Sequence, residues 1–317
     1  MMMTTSTEVW VAQGLGVVVH GVWDDRPRIE LIVLPVIHTL YAVWGTGPED
    51  VWIGGQDQFP SFSGVMDPPY GSVHHWDGCR WTRRGPERSP AVFSLAGSEP
   101  LRPWAATRGA ALHWEGEAWV VHHEGLSEGE TIREVRSTPG GGVFGIVVDA
   151  RHENVAVHQR VDARWQRRTV PFRAQNLQLA MGRDWVAIAP FFPDTLRGTL
   201  SVYREGAWTA LPSPGEGWWG LEATADRLGA YVGGRLVFYD HGVWRPEALG
   251  AALAARGETR LEGARVASFD SDPLGLEGVR WYLLPSREGG LVGCRMHAGQ
   301  VDCIGAVEGH FDLTRAP

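Results

Sequence analysis

The feature that most constrains this chain is a recurrence of large apolar residues at a nearly constant interval. Trp10, Trp52, Trp104, Phe144, Trp185, Leu228 and Trp281 are separated by 42, 52, 40, 41, 43 and 53 residues. A second series, Trp81, Trp119, Trp165, Trp208, Trp244 and Val301, runs beside it at the same period. Intervals of about 40–50 residues belong to four-stranded propeller blades, each of which buries its faces only against its neighbours. The first series marks the second strand of each repeat and the second series the fourth.

Turn chemistry agrees. Asp77-Gly78, Glu115-Gly116, Glu205-Gly206, His241-Gly242 and Ala298-Gly299 lie between short alternating strands, just ahead of second-series residues. Glycine there supplies the positive φ of tight hairpins. The fourth repeat, from Val157 to Trp165, has no glycine at this point, which predicts a longer turn. The N-terminal repeat supplies strands at 9–12, 17–20 and 29–34 but no first strand, whereas 309–315 has nothing local to pair with. Ring closure by that C-terminal strand is expected, because it removes exposed sheet edges. The sequence therefore predicts an all-β, single-domain, seven-bladed β-propeller over residues 1–317. Its four-stranded blades are placed at 8–36 plus 309–315, 38–86, 91–124, 131–172, 176–213, 218–248 and 264–307. Trp52, Trp81, Trp119, Trp185 and Trp208 are assigned to packing between blades.

One repeat carries a fuller pattern. Val43-Trp44-Gly45-Thr46-Gly47-Pro48-Glu49-Asp50-Val51-Trp52 is followed by His75-Trp76-Asp77-Gly78-Cys79-Arg80-Trp81. This resembles the short propeller repeat of myxobacterial and related bacterial proteins, a Val-Trp-Gly-x-Gly-Pro-x-Asp-Val-Trp run followed by His-x-Asp-Gly-x-x-Trp. The third and fifth repeats keep the turn and final Trp, and the others match by period alone. The resemblance implies a bacterial repeat protein of propeller fold, and it carries no shared activity.

Composition narrows the function classes. A net charge of −8 and a pI near 5.8 argue against a dedicated nucleic-acid binder. All 29 basic residues are Arg, so this lysine-free chain has neither a Schiff-base lysine nor a phosphate-loop lysine. The N-terminal residues lack the features of a secretory signal, no stretch reaches about 18 apolar residues, and three cysteines make no disulfide framework. A cytoplasmic protein with no membrane partner is expected.

Function in repeat proteins lies where the repeat is interrupted. The longest interruption, Gln56 to Ser72, carries Phe59, Phe62, Met66 and Tyr70. A later one holds Phe191 and Phe192, and Pro212 to Gly217 delivers Trp218 and Trp219. Exposed aromatics on proline-stiffened loops are good anchors for a partner. Pro246 to Ala255 reads as a short helix on the same surface. Chemistry is poorly represented. His122, His123, Asp57 and Asp67 are the best candidates for a metal or an acid–base pair, but adjacent histidines on a strand face opposite ways. His74 and His75 read as structural. Cys294 and Cys303 should face each other across a hairpin as packed thiols, and with His297 they form only a partial ligand set. Arg164, Arg167, Arg168 and Arg173 read as a solvated outer edge.

The resulting expectation is a non-catalytic scaffold that holds a protein partner through Phe59, Phe62, Tyr70, Phe191, Phe192, Trp218 and Trp219. No catalytic residue, metal or cofactor is assigned. The alternatives are a carbohydrate-binding propeller lectin stacking Trp on sugars, and a propeller lyase or hydrolase with a metal-assisted site.

Overall fold

The computed structural model describes residues 2–4, 8–13, 17–22, 28–34, 38–57, 70–85, 90–107, 109–138, 140–149, 155–171, 177–190, 200–216, 218–223, 227–232, 235–246, 279–285, 291–297 and 300–304. The fold is all-β. Among these residues, six four-stranded sheets and one three-stranded sheet follow one another along the chain, each joining consecutive strands antiparallel. The first sheet is β1 (Met2–Thr4), β2 (Glu8–Gln13), β3 (Val17–Val22) and β4 (Arg28–Val33). The second is β5 (His38–Gly47), β6 (Asp50–Asp57), β7 (Tyr70–Trp76) and β8 (Trp81–Arg83). The third is β9 (Val92–Ala96), β10 (Trp104–Thr107), β11 (Ala111–Trp114) and β12 (Trp119–His122). The fourth is β13 (Thr131–Ser137), β14 (Val143–Val148), β15 (Val155–Val161) and β16 (Arg164–Arg168). The fifth is β17 (Leu177–Met181), β18 (Trp185–Pro190), β19 (Leu200–Arg204) and β20 (Ala207–Leu211). The sixth is β21 (Trp218–Ala223), β22 (Leu228–Val232), β23 (Arg235–Asp240) and β24 (Val243–Pro246), and the last is β25 (Val279–Pro285), β26 (Leu291–His297) and β27 (Gln300–Ile304).

In the six four-stranded sheets the first-series residues fall on the second strand, and from the second sheet to the sixth the second-series residues fall on the fourth. Trp281 and Val301 lie in β25 and β27 of the three-stranded sheet, and Cys294 pairs in register with Cys303.

Two expectations fail. Met2–Thr4 pairs with β2, Met3 opposite Trp10, so the first sheet takes its own N-terminal residues as strand one. The position assigned to 309–315 is filled, and that segment lies outside the described residues. The fourth repeat does not use a longer turn. Val161 pairs with Arg164, leaving the two-residue turn Asp162-Ala163 with φ of 47° and 61°. Its counterparts Glu205-Gly206 and His241-Gly242 have the same left-handed pair with glycine second. The longer turns belong instead to the second and third repeats. There Trp76 pairs with Trp81 and Trp114 with Trp119, and Asp77 Oδ1 accepts from the amides of Cys79 and Arg80. Strand twist demands the left-handed pair, and an alanine meets that demand at a steric cost of about 1–2 kcal/mol. Ala163→Gly is therefore expected to raise the unfolding free energy by about 1 kcal/mol after glycine's own entropic cost is subtracted. Urea titration measures it, and an unchanged midpoint would remove the claim of strain.

The buried residues form a series of seams rather than one central core. Among the described residues, five apolar clusters lie between successive sheets from the first to the sixth. The packing rule is that a second-strand residue inserts against the hairpin of the next sheet. Trp10 meets Trp76 and Trp81 at 6.2 and 5.9 Å, and Trp52 meets Trp114 and Trp119 at 5.8 and 6.2 Å. Trp104 meets Trp165 at 5.8 Å, and Phe144 meets Tyr203 at 6.4 Å. A strand-three imidazole stacks on each of the first three indoles: His20 on Trp10, His75 on Trp52 and His113 on Trp104. Each His is directly opposite its Trp in register.

Polar bonds tie the same seams. The indole Nε1–H of Trp119 donates to Arg84 O, that of Trp165 to His122 O and that of Trp244 to Pro212 O, each reaching back to the preceding sheet. The densest knot is Asp50, which is 8% exposed. Its Oδ1 accepts from Trp52 Nε1 at 2.7 Å and faces His75 Nε2 at 3.0 Å. Its Oδ2 accepts from Thr46 Oγ1 at 2.5 Å and from the Leu101 amide at 3.1 Å. Leu101 belongs to the β9–β10 connection, so one carboxylate fastens the second sheet to the third.

Candidate functional site

The seam between the third and fourth sheets departs furthest from this rule. At one end it opens into a cleft of about 630 Å³ lined by Phe93, Ser94, Thr107, Gly109, Thr131, Ile132, Arg133, Glu134, Arg136 and Val148. Thr107 ends β10, Thr131 opens β13 and Val148 ends β14, so the mouth faces the end carrying strand-two-to-three and sheet-to-sheet connections. The floor is fixed by Ser94, whose Oγ donates to Val135 O at 2.7 Å and accepts from the Val135 amide at 3.3 Å. Arg136 pairs with Glu134 at 2.6 Å along the rim. A volume of this size, mixing aromatic, aliphatic, hydroxyl and charged groups, lies within the range of ligand pockets.

At the hairpin end of the same seam, Arg160 stands where the second and third sheets have Trp76 and Trp114. All three sit opposite a fourth-strand Trp. Its guanidinium lies 5.6 Å from both the Trp104 and Trp165 rings and donates through Nη2 to His122 Nδ1 at 2.8 Å. Glu124 Oε2 is 3.7 Å from Arg160 Nη1 and 3.9 Å from His122 Nδ1. His113 and His122 share one face of the β11–β12 hairpin, with centroids 6.0 Å apart, and both rings contact Trp104. Glu115, on the turn, approaches His113 Nδ1 to 3.9 Å. Burial, reinforced by Arg102 and His122, lowers the pKa of His113; burial, reinforced by Arg160, lowers that of His122.

The residues singled out in the sequence distribute unevenly over this structure. Trp218 is a correction. It is fully buried among Trp185, Leu221 and Ala230 in the seam of the fifth and sixth sheets, and so it is core rather than a partner contact. As the first residue of β21, it is carried inward by the strand itself. Tyr70 opens β7 opposite Asp57, partly buried, at the connection-bearing end. Trp219 pairs with Tyr231 in β21. Phe59, Phe62, Met66, Asp67, Phe191 and Phe192 lie outside the described residues, as does the expected helix beyond Pro246, which itself ends β24. His123 is exposed and does not join His122. His74 is buried against Ser72 Oγ at 2.9 Å, and His75 holds Asp50, both structural as expected. Arg167 is exposed and pairs with Glu130, the residue just before β13 of its own sheet. His113, Glu115 and Arg160 were missed. The hairpin register implied by Glu115-Gly116 could have placed His113 beside His122.

No family model and no curated protein matches the sequence. Among solved structures, the chain is similar to YCF48 bound to D1 peptide, over 100% of this chain and 94% of that one, at 14% identity and a TM-score of 0.54. It is also similar to a puromycin hydrolase, over 92% of this chain and 48% of the hydrolase, at 11% identity and a TM-score of 0.50. A GH74 enzyme from Niastella koreensis aligns over 94% of this chain and 49% of its own, at 9% identity and a TM-score of 0.49. The first two likenesses concern fold, a propeller-like succession of sheets. Among the described residues no helix is long and apolar enough to cross a membrane.

Proposed function

We propose that this chain is a seven-bladed β-propeller that serves as a non-catalytic cytoplasmic scaffold in a bacterium. It holds a protein partner as an extended peptide on the end bearing the strand-two-to-three connections. The observation that carries this reading is the cleft between the third and fourth sheets, open at that end. Its apolar floor accepts a side chain, while Thr107, Thr131 and Glu134 offer hydrogen-bonding groups to a peptide backbone. The partner contacts expected at Phe59, Phe62, Tyr70, Phe191, Phe192 and Trp219 remain part of this reading, and Trp218 is withdrawn from it. That YCF48 has been solved with a peptide supports a peptide as the kind of ligand such an architecture accommodates. With strand one of the first sheet supplied locally, closure of the ring falls to packing of the last sheet on the first.

The test is a peptide-display selection against the purified protein, with affinities of enriched peptides measured by fluorescence anisotropy. Thr131→Trp places a bulky ring in the cleft from a partly exposed position. It is expected to weaken binding at least tenfold, about 1.4 kcal/mol, while leaving the melting temperature unchanged. Peptides that bind both proteins equally would place the ligand elsewhere.

A further inference from the structure

We propose that His113, Glu115 and His122 form a binding site for a divalent transition metal of the zinc class, independent of the peptide cleft. One donor atom from each lies within 4.8 Å of the other two. A tetrahedral zinc site with bonds near 2.0–2.2 Å needs donor separations of roughly 3.4 Å, so a small inward movement completes the contact. Glu115 makes most of that movement, because its side chain is 48% exposed on the turn. The imidazoles need little. His113 pairs with Val120 and His122 with Ala111, which puts both on one face of a single hairpin. The Trp104 indole supports both rings, at 4.5 and 5.0 Å. Two imidazoles and a carboxylate are the donor set of an open three-ligand zinc site, with the fourth position left to water.

His122 carries the second indication. Its Nδ1 accepts from Arg160, so its hydrogen is on Nε2, and Nε2 is buried without a hydrogen-bond partner. A buried N–H left without an acceptor is costly. Metal binding resolves it: the hydrogen moves to Nδ1, Nε2 takes the ion through its lone pair, and no net proton leaves His122. Glu124 Oε2, 3.9 Å from Nδ1, then accepts from Nδ1–H, forming the carboxylate–histidine–metal relay that orients metal-bound imidazoles. Arg160 turns from His122 to the same carboxylate, 3.7 Å from its Nη1. Its positive charge opposes the ion, and it sets how tightly the site can bind.

Calorimetric titration of the chelator-treated full chain with zinc chloride tests this, with quenching of Trp fluorescence by cupric ion as an independent signal from Trp104. One zinc per chain at micromolar affinity is expected. Glu115→Gln, on the exposed turn, should weaken binding about tenfold or more, and His122→Gln should abolish both signals while far-ultraviolet circular dichroism is retained. Arg160→Gln removes the opposing charge and should tighten zinc binding about tenfold. Absence of zinc heat in the unmodified chain, or heat unchanged in Glu115→Gln and His122→Gln, would overturn the site.

Discussion

Asp50→Ala is expected to lower the unfolding free energy by about 3–5 kcal/mol, the cost of opening a buried, fully engaged ionic network from one side. The substitution deserts Trp52 Nε1, His75, Thr46 Oγ1 and the Leu101 amide together. Buried donors left unpaired cost roughly 1–3 kcal/mol each when no water reaches them. Asp50→Asn should recover little, because its amide nitrogen must face either the Trp52 indole N–H or the Leu101 N–H, donor against donor. Denaturant titration of both variants decides the matter. A loss below about 1 kcal/mol for Asp50→Ala would mean that apolar packing alone holds the second sheet to the third.

Acid is expected to unfold the protein through its buried histidines. Burial, with a smaller contribution from Arg83, lowers the pKa of His74 from 6.5 to about 4. Burial also lowers those of His113, His122 and His158. His158 is enclosed with neither ring nitrogen hydrogen-bonded, and burial outweighs the charge support of the nearby Glu130 carboxylate. A histidine whose folded pKa lies below its unfolded value takes up its proton first in the unfolded chain. Stability is therefore complete above about pH 6.5 and falls as the pH drops toward about 4. His74 by itself accounts for about 3 kcal/mol of that loss. Asp50 extends it at lower pH. Burial pushes its pKa up, but bonds from His75, Thr46, Leu101 and Trp52 outweigh this and hold it below 3.8. Its contribution is present above 3.8 and is lost as the pH falls through its folded value. Urea midpoints between pH 7.5 and 4 should fall steadily, and His74→Gln should flatten the profile. A stability constant from pH 7 to 4.5 would contradict the burial of these rings as neutral groups.

Both predictions concern residues whose identity was visible in the sequence and whose role was not. Thr46, Asp50, Trp52 and His75 all stand in the runs 43–52 and 75–81, and the network gives the acid and the imidazole of those runs a packing role. Neither strand period nor turn chemistry reports that Leu101, from the next sheet, completes it. The error at Trp218 has the same origin. A Trp after a Pro- and Gly-rich connection reads as a loop anchor until the strand that follows is seen to carry it inward.

By itself the sequence determined, among the described residues, the strand content, the repeat period and which residue of the first six repeats packs between sheets. These are local or periodic properties: alternation, turn glycines and anchor spacing act within one hairpin or one repeat. Only the tertiary structure decided where polar groups meet across a seam. The two-residue turn at Asp162-Ala163 depends on strand twist overriding the absence of glycine. The supply of strand one by Met2–Thr4 depends on which segment wins an open sheet edge. The gathering of His113, Glu115, His122 and Arg160 depends on hairpin register and on the fourth sheet placing a cation where the second and third sheets place an indole. The Leu101 bond to Asp50 and the Arg160 bond to His122 join residues distant in the chain, which spacing along the sequence does not encode.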